Sequence, residues 1–305
     1  MTADGGIEAR ALRRSLLGYL VFGGLGVGFS ILTGSNAILL DGVYSLVCAA
    51  VAVAAMQVSQ LVTRPDDESH PFGYAKYEPL LNALKGGLIL VLCVVSAGGS
   101  IETLLRGGRE PAFGWAIVYS VICTTGCFVM AAAQRRSARA TGSALLTVEA
   151  RSWVFDGAIS GGVGVAFVIA AILERTPLAG LVPSIDPAMT LLLVAVLLPV
   201  PFGTVAGGMR ELLFQSPARE ENERLAAICR EELAGLALGE PRLRRARIGR
   251  TVYVMVSYLL TPDDADPSVA DLDAVRGAIG GRIRNEGIAP IVYVDVLVTR
   301  RAELV

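Results

Sequence analysis

Apolar residues along the first two-thirds of the chain fall into six long runs divided by short polar connections, at about 15–33, 36–62, 79–104, 113–134, 143–173 and 186–213. Each approaches the ~20 residues that an α-helix needs to cross a bilayer, so the pattern predicts six membrane spans. The first run contains Gly23, Gly24, Gly26 and Gly28, small residues that permit close helix contact. Only TGSN separates it from the second run, which predicts a tight helical hairpin. Pro199 and Pro201 predict a kink in the sixth, because proline removes a helix donor and crowds the preceding turn.

From about Ser216 the pattern changes to shorter units. ENERLAAICREELAGL reads as an amphipathic helix, and RIGRTVYVMVSYLL as a strand pair or a long strand with a Gly turn. DPSVADLDAVRGAIGGRIR reads as a capped helix and APIVYVDVLVTR as a last strand. This α-β-β-α-β order predicts a small ferredoxin-like α/β domain, one sheet with helices on one face. The expected organisation is an N-terminal cytoplasmic segment at 1–14, a six-transmembrane-helix bundle at 15–213 and a C-terminal cytosolic α/β domain at 214–305.

Composition agrees with a membrane protein. At 53% hydrophobic and 18% charged, the 305-residue chain is too apolar for an ordinary soluble domain. Its net charge of -1 gives no reason to expect a nucleic-acid partner. Cys48, Cys93, Cys123 and Cys127 lie within apolar runs and read as small buried hydrophobes, with no disulfide framework. Positive charge sets the orientation. With the N-terminus inside, the inner face holds Arg10, Arg13, Arg14, Arg64, Lys76, Arg135, Arg136 and Arg139, against Arg106, Arg109 and Arg175 outside. The expectation is a multi-pass protein of the inner (plasma) membrane, with both termini cytoplasmic.

Two apolar runs carry carboxylates, which are costly in hydrocarbon and so face a cavity, a partner or a substrate path. In the second, Asp41, Ser45 and Cys48 share one helix face; in the fifth, Glu149, Ser152, Asp156 and Ser160 form a stripe. At ~1.5 Å per helical residue, Asp41 lies roughly 7 Å below the outer turn and Asp156 about 10 Å from the same face. If the two helices are neighbours, two carboxylates and two hydroxyls converge. Facing carboxylates repel unless a cation or a shared proton lies between them. Oxygen donors at Asp41, Ser45, Ser152 and Asp156 favour hard or borderline divalent cations. Nearer the inner side, Lys85, Glu149 and Arg151 are candidate vestibule charges, with snorkelling to the interface the alternative for Lys85 and Arg151.

These features resemble the cation diffusion facilitator family. GSNAILLDGVYSLV is similar to its second-span signature, HPFGYAKYEPL to its cytoplasmic signature, and LTVEARSWVFDGAISGGV to its fifth-span signature. The resemblance implies a homodimer that exchanges a divalent metal for protons, with no organic cofactor and with the lipid bilayer, metal ion and proton as partners. Carried over, the transport site is Asp41, Ser45, Ser152 and Asp156, where zinc-type members usually have His or Asp in place of the two serines. Mn, Fe, Co and Zn are all candidate cargoes. His70, the only histidine, would pair with Asp67 in a weak interfacial site, and Tyr74 stands where the family has a second histidine. Lys76 matches a position that forms a charge lock between subunits, but Phe214 stands where its acidic partner is expected. The histidine-free C-terminal domain is expected to dimerise without a zinc cluster. The rival expectations are a transport-deficient structural or regulatory subunit of a heterodimer, and a monovalent cation/proton exchanger.

Overall fold

The computed structural model describes residues 3–62, 64, 66–109, 112–141, 144–234, 241–261, 266–301 and 303. Its elements follow the hydrophobic pattern. Helices α1 (Ala3–Thr33), α2 (Asn36–Val62), α3 (Tyr77–Leu105), α4 (Phe113–Thr141) and α5 (Ala144–Leu173) are followed by a short 3-10 turn, then α6 (Ile185–Leu197) and α7 (Pro199–Leu212). Six stretches are long and apolar enough to cross a membrane, the last formed by the turn, α6 and α7 together. Large apolar side chains point outward from them, such as Val94 and Val95 at 67% exposure each, as a lipid-facing surface requires.

The sixth span is interrupted at Leu198, immediately before Pro199. Pro199 and Pro201 lack the N–H groups that would otherwise bond to the carbonyls of Ala195 and Leu197. At the other end of the bundle's first hairpin, Gly34 takes φ +70, the left-handed conformation that lets α1 turn into α2 within two residues.

The chain divides into two compact units, Met1–Met56 with Leu84–Thr204, and Gln57–Ala83 with Val205–Val305. In the first, a buried core joins Ile38 and Leu40 of α2, Ile89 and Cys93 of α3, Tyr119 and Cys123 of α4, Phe167 of α5, and Leu193 and Leu197 of α6. A second cluster centres on Trp153, which stacks on Tyr19 at 4.5 Å and donates from Nε1 to Ser15 Oγ at 2.9 Å. All five cysteines are buried and free.

The second unit holds α8 (Arg219–Leu233), β1 (Arg242–Ile248), β2 (Thr251–Leu259), α9 (Val269–Asn285) and β3 (Ile291–Thr299). The sheet order is β1-β2-β3, with β1 antiparallel to β2 and β2 parallel to β3. Alternate residues Val252, Val254, Val256 and Tyr258 face inward, against Leu225 and Ile228 of α8 and Ile279 and Ile283 of α9. A capping box of Ser268 and Asp271 starts α9, and Ser268 holds the Asp271 carboxyl below its ordinary range. The α-β-β-α-β order and the single helical layer match the sequence expectation.

Candidate cation site

Asp41 of α2 and Asp156 of α5 line one cavity, together with Tyr44 and the apolar side chains of Leu40, Ile159, Leu193 and Leu197. The cavity is about the size of one water molecule. A cation entering it must shed its water shell and accept protein oxygens in exchange. The charged groups whose fields reach Asp156 are Asp41, Glu149 and Lys85, with Asp41 the strongest.

Asp41 is held by neighbours on two other helices. Its Oδ2 accepts from Tyr119 Oη of α4 at 2.9 Å and from Ser160 Oγ of α5 at 2.9 Å. Both donors are buried. The close crossing of α1 over α2 makes room for this arrangement. A Cβ on Gly42 would fall 2.7 Å from the carbonyl carbon of Gly26, and one on Gly26 would fall 3.0 Å from Tyr119 Oη. Only glycine fits either position without a shift of backbone.

The sequence places Ser152 and Ser45 beside the aspartates, and the structure half-buries both, one turn from their respective carboxylates. The serine that reaches across to Asp41 is Ser160, which the fifth-span stripe contained but the four-residue set did not. Tyr119 was not anticipated, since a tyrosine in an apolar run reads as packing until its hydroxyl finds a partner. Among the described residues no group of three or more His, Cys, Asp or Glu comes together, so the acidic donors here are the two aspartates.

Toward the N-terminus of α5, Glu149 accepts a hydrogen bond from Tyr19 Oη at 3.1 Å. Among the described residues no ion pair joins Lys85 to Glu149; Lys85 is half-buried and Arg151 is exposed. Tyr19 is held over Glu149 by its stacking on Trp153, so α1 provides the partner that the sequence reading sought on α3.

The second unit contains Asp67 and His70. Asp67 Oδ1 accepts from the backbone N–H groups of Ser69 and His70, and Oδ2 accepts from Tyr74 Oη at 2.5 Å. These donors, Tyr74 foremost, hold the Asp67 carboxyl below its ordinary range. His70 stacks on Tyr74 at 4.3 Å, and its Nε2 lies 3.2 Å from Tyr77 Oη. His70 Nδ1 is 3.4 Å from Asp67 Oδ1, near enough for ionic attraction but without hydrogen-bond geometry. Lys76 is exposed and forms no ion pair among the described residues. Phe214 takes φ 54 at the end of α7 and packs near Tyr253, with ring centroids 6.2 Å apart.

Comparison with known proteins agrees with this architecture. Residues 12–213 match the model of the cation efflux transmembrane domain. The chain is 26% identical over 87 residues to the manganese efflux system protein MneP of Bacillus subtilis, covering 28% of this chain and 29% of that protein. A transporter of Synechocystis is 32% identical over 105 residues, 34% of each chain. The magnetosome protein MamM of Magnetospirillum gryphiswaldense is 25% identical over 256 residues, 82% of this chain and 77% of that one. The match thus spans about a third of the length of the first two relatives and about three-quarters of the third. The chain belongs to the cation efflux family, also called the cation diffusion facilitators: a six-span membrane domain followed by a small α/β domain.

Proposed function

We propose that the protein is a secondary transporter that exports a divalent metal cation from the cytoplasm in exchange for protons, by alternating access around Asp41 and Asp156. The observation that carries this reading is that two carboxylates from different spans line the same water-sized cavity. Two negative charges match one dication, and oxygen donors suit Mn(II) or Fe(II) better than a soft ion. Ser45 and Ser152 complete the donor set in this reading, while Tyr119 and Ser160 orient Asp41. The similarity to the manganese efflux protein of Bacillus makes Mn(II) the first candidate, ahead of Fe(II), Co(II) and Zn(II).

The same reading makes the protein a homodimer of the plasma membrane with both termini cytoplasmic, as the arginine distribution favours. Its domain limits remain those at 1–14, 15–213 and 214–305. Lys85, Glu149 and Arg151 supply charge along the inner approach, and Lys76 serves at the subunit boundary. A weak second site at Asp67 and His70 requires Asp67 to release the Tyr74 hydroxyl.

Uptake into proteoliposomes tests the proposal, with Mn(II), Fe(II), Co(II), Zn(II), Mg(II) and Na⁺ compared. Saturable flux of a dication, lost in Asp41→Ala/Asp156→Ala, is the expected result. Preference for Na⁺ would replace the cargo. Absence of all flux from folded dimer, with a second family member co-purifying in equal amount, would make the chain a structural subunit.

A further inference from the structure

A further carboxylate is buried inside the first unit, away from the cation cavity. Asp186, in the first turn of α6, is only 1% exposed. Its Oδ1 accepts from Ser35 Oγ at 2.5 Å and from Ala37 N at 3.4 Å, and its Oδ2 accepts from Asn36 N at 3.0 Å. Ser35 Oγ also accepts from Ile38 N at 3.1 Å. Asp186 and Ser35 together therefore cap the first turn of α2. In an ordinary capping box the acid comes from the helix's own third position. Here it comes from another helix 150 residues later. The N–H groups and positive dipole end at the start of α2 stabilise the buried carboxylate in return.

The same corner is tied from a third side. Arg109, in the α3–α4 connection, donates from Nη1 to Gly34 O at 3.0 Å and from its backbone N–H to Pro183 O at 2.8 Å. Its charge also acts on Asp186. Both helices that meet here continue into the cation cavity. Asp41 follows Asn36 by five residues, roughly 7 Å along α2. Leu193 and Leu197 follow Asp186 along α6 and line the same cavity.

We propose that Asp186 is a positioning residue of the transport cycle: it fastens the outer ends of α2 and α6 in one register, so that Asp41 faces Asp156 across a closed cavity. This rests on the reading of Asp41 and Asp156 as the cation site. Three donors from the start of α2 already hold the Asp186 carboxylate, so it acts as a helix cap rather than a second cation ligand. Opening the cavity on this side parts α2 from α6 and breaks the clasp. The clasp therefore favours the closed, cation-holding form and slows release.

The test compares the KM and kcat of flux for Asp186→Asn, Asp186→Glu, Ser35→Ala and wild type in proteoliposomes. The probe is whichever of Mn(II), Fe(II), Co(II) and Zn(II) the wild type moves fastest. Asn keeps the size of the side chain but turns an NH2 group toward donors. It is expected to raise KM about tenfold while kcat per folded molecule stays within about twofold of wild type. Ser35→Ala leaves the backbone bonds to Asp186 in place and is expected to raise KM by a smaller factor. Asp186→Glu, which retains the charge, is expected to recover part of the affinity. A merely structural role lowers the yield of folded protein or kcat and leaves KM alone; that outcome, or an unchanged KM in both Asp186→Asn and Ser35→Ala, overturns the proposal. If wild-type flux also survives Asp41→Ala unchanged, the cation site itself is misplaced and the inference falls with it. Loss of flux in Asp41→Ala beside an unchanged KM in Asp186→Asn refutes the inference alone.

Discussion

Tyr119 and Ser160 determine what Asp41 can do. Both hydroxyls donate to the same carboxylate oxygen, Oδ2, so in the proposed reading Oδ1 is the oxygen left for cargo. Tyr119→Phe removes one donor while keeping the ring that packs against Phe29 in the core. A hydrogen bond to a charged group contributes roughly 1.5–3 kcal/mol, part of which Ser160 retains by keeping Asp41 in place. The expected consequence is a rise of about tenfold in KM for the cation, with folding and expression near wild type. Flux measured against cation concentration checks this. An unchanged KM would mean that Ser160 alone suffices to orient the carboxylate. Glu149 shows the same logic at a second carboxylate. A height estimate alone places Lys85 near it, but Tyr19 reaches it from α1.

At the scale of helices, the α1–α2 crossing fixes the backbone beside Asp41. The sequence offers Gly23, Gly24, Gly26 and Gly28 as equivalent small residues, and the structure separates them. A Cβ on Gly24 or Gly28 would meet nothing within 4 Å, whereas Gly26 and Gly42 lie backbone to backbone. Gly42→Ala is therefore expected to cost about 1–3 kcal/mol through overpacking beside Asp41. Gly24→Ala and Gly28→Ala are expected to leave the thermal melting temperature in detergent unchanged or slightly raised. Equal effects at all three sites would place the crossing elsewhere. This separation also marks how far the sequence is legible. The six runs, the break at Pro199 and the α-β-β-α-β order follow from local rules of length, periodicity and proline chemistry, and they appear as expected. Asp41 and Asp156 stand out because a carboxylate in an apolar run is costly wherever the helices sit. Which glycine touches, and whether Ser152 or Ser160 crosses to Asp41, depends on how far each helix is rotated about its axis. A single helix's periodicity does not fix that angle. Asp186 was overlooked for a related reason: at the edge of an apolar run an acid looks like part of the polar connection, and only its partners on α2 reveal that it is buried.

For the whole molecule, the question is what returns the transporter to its starting state. In the proposed reading, Asp41 and Asp156 balance the charge of a bound dication in a cavity too small for a water shell. Once the cation leaves, the same two carboxylates face each other across low-dielectric surroundings. There like charges repel far more strongly than in water. In the proposed mechanism, closing the emptied site therefore takes at least one proton. It would be taken up on the side where metal is released and given back on the side where metal binds. Metal-for-proton exchange, as proposed above, needs no histidine at the site, and none lines the cavity. In vesicles that take up Mn(II), the lumen should turn alkaline in step with uptake, and an imposed acid-inside gradient should accelerate it. A pH-sensitive dye sealed in the lumen, read beside Mn(II) uptake, measures both. Asp156→Asn leaves a single carboxylate with no like-charged neighbour, so it should lose the response to the pH gradient along with most of the flux. Robust Mn(II) uptake with no change in luminal pH, and no response to the gradient, would mean that the empty site closes with both carboxylates charged. In that case the charge of Lys85, whose field reaches Asp156, would have to serve in place of the proton.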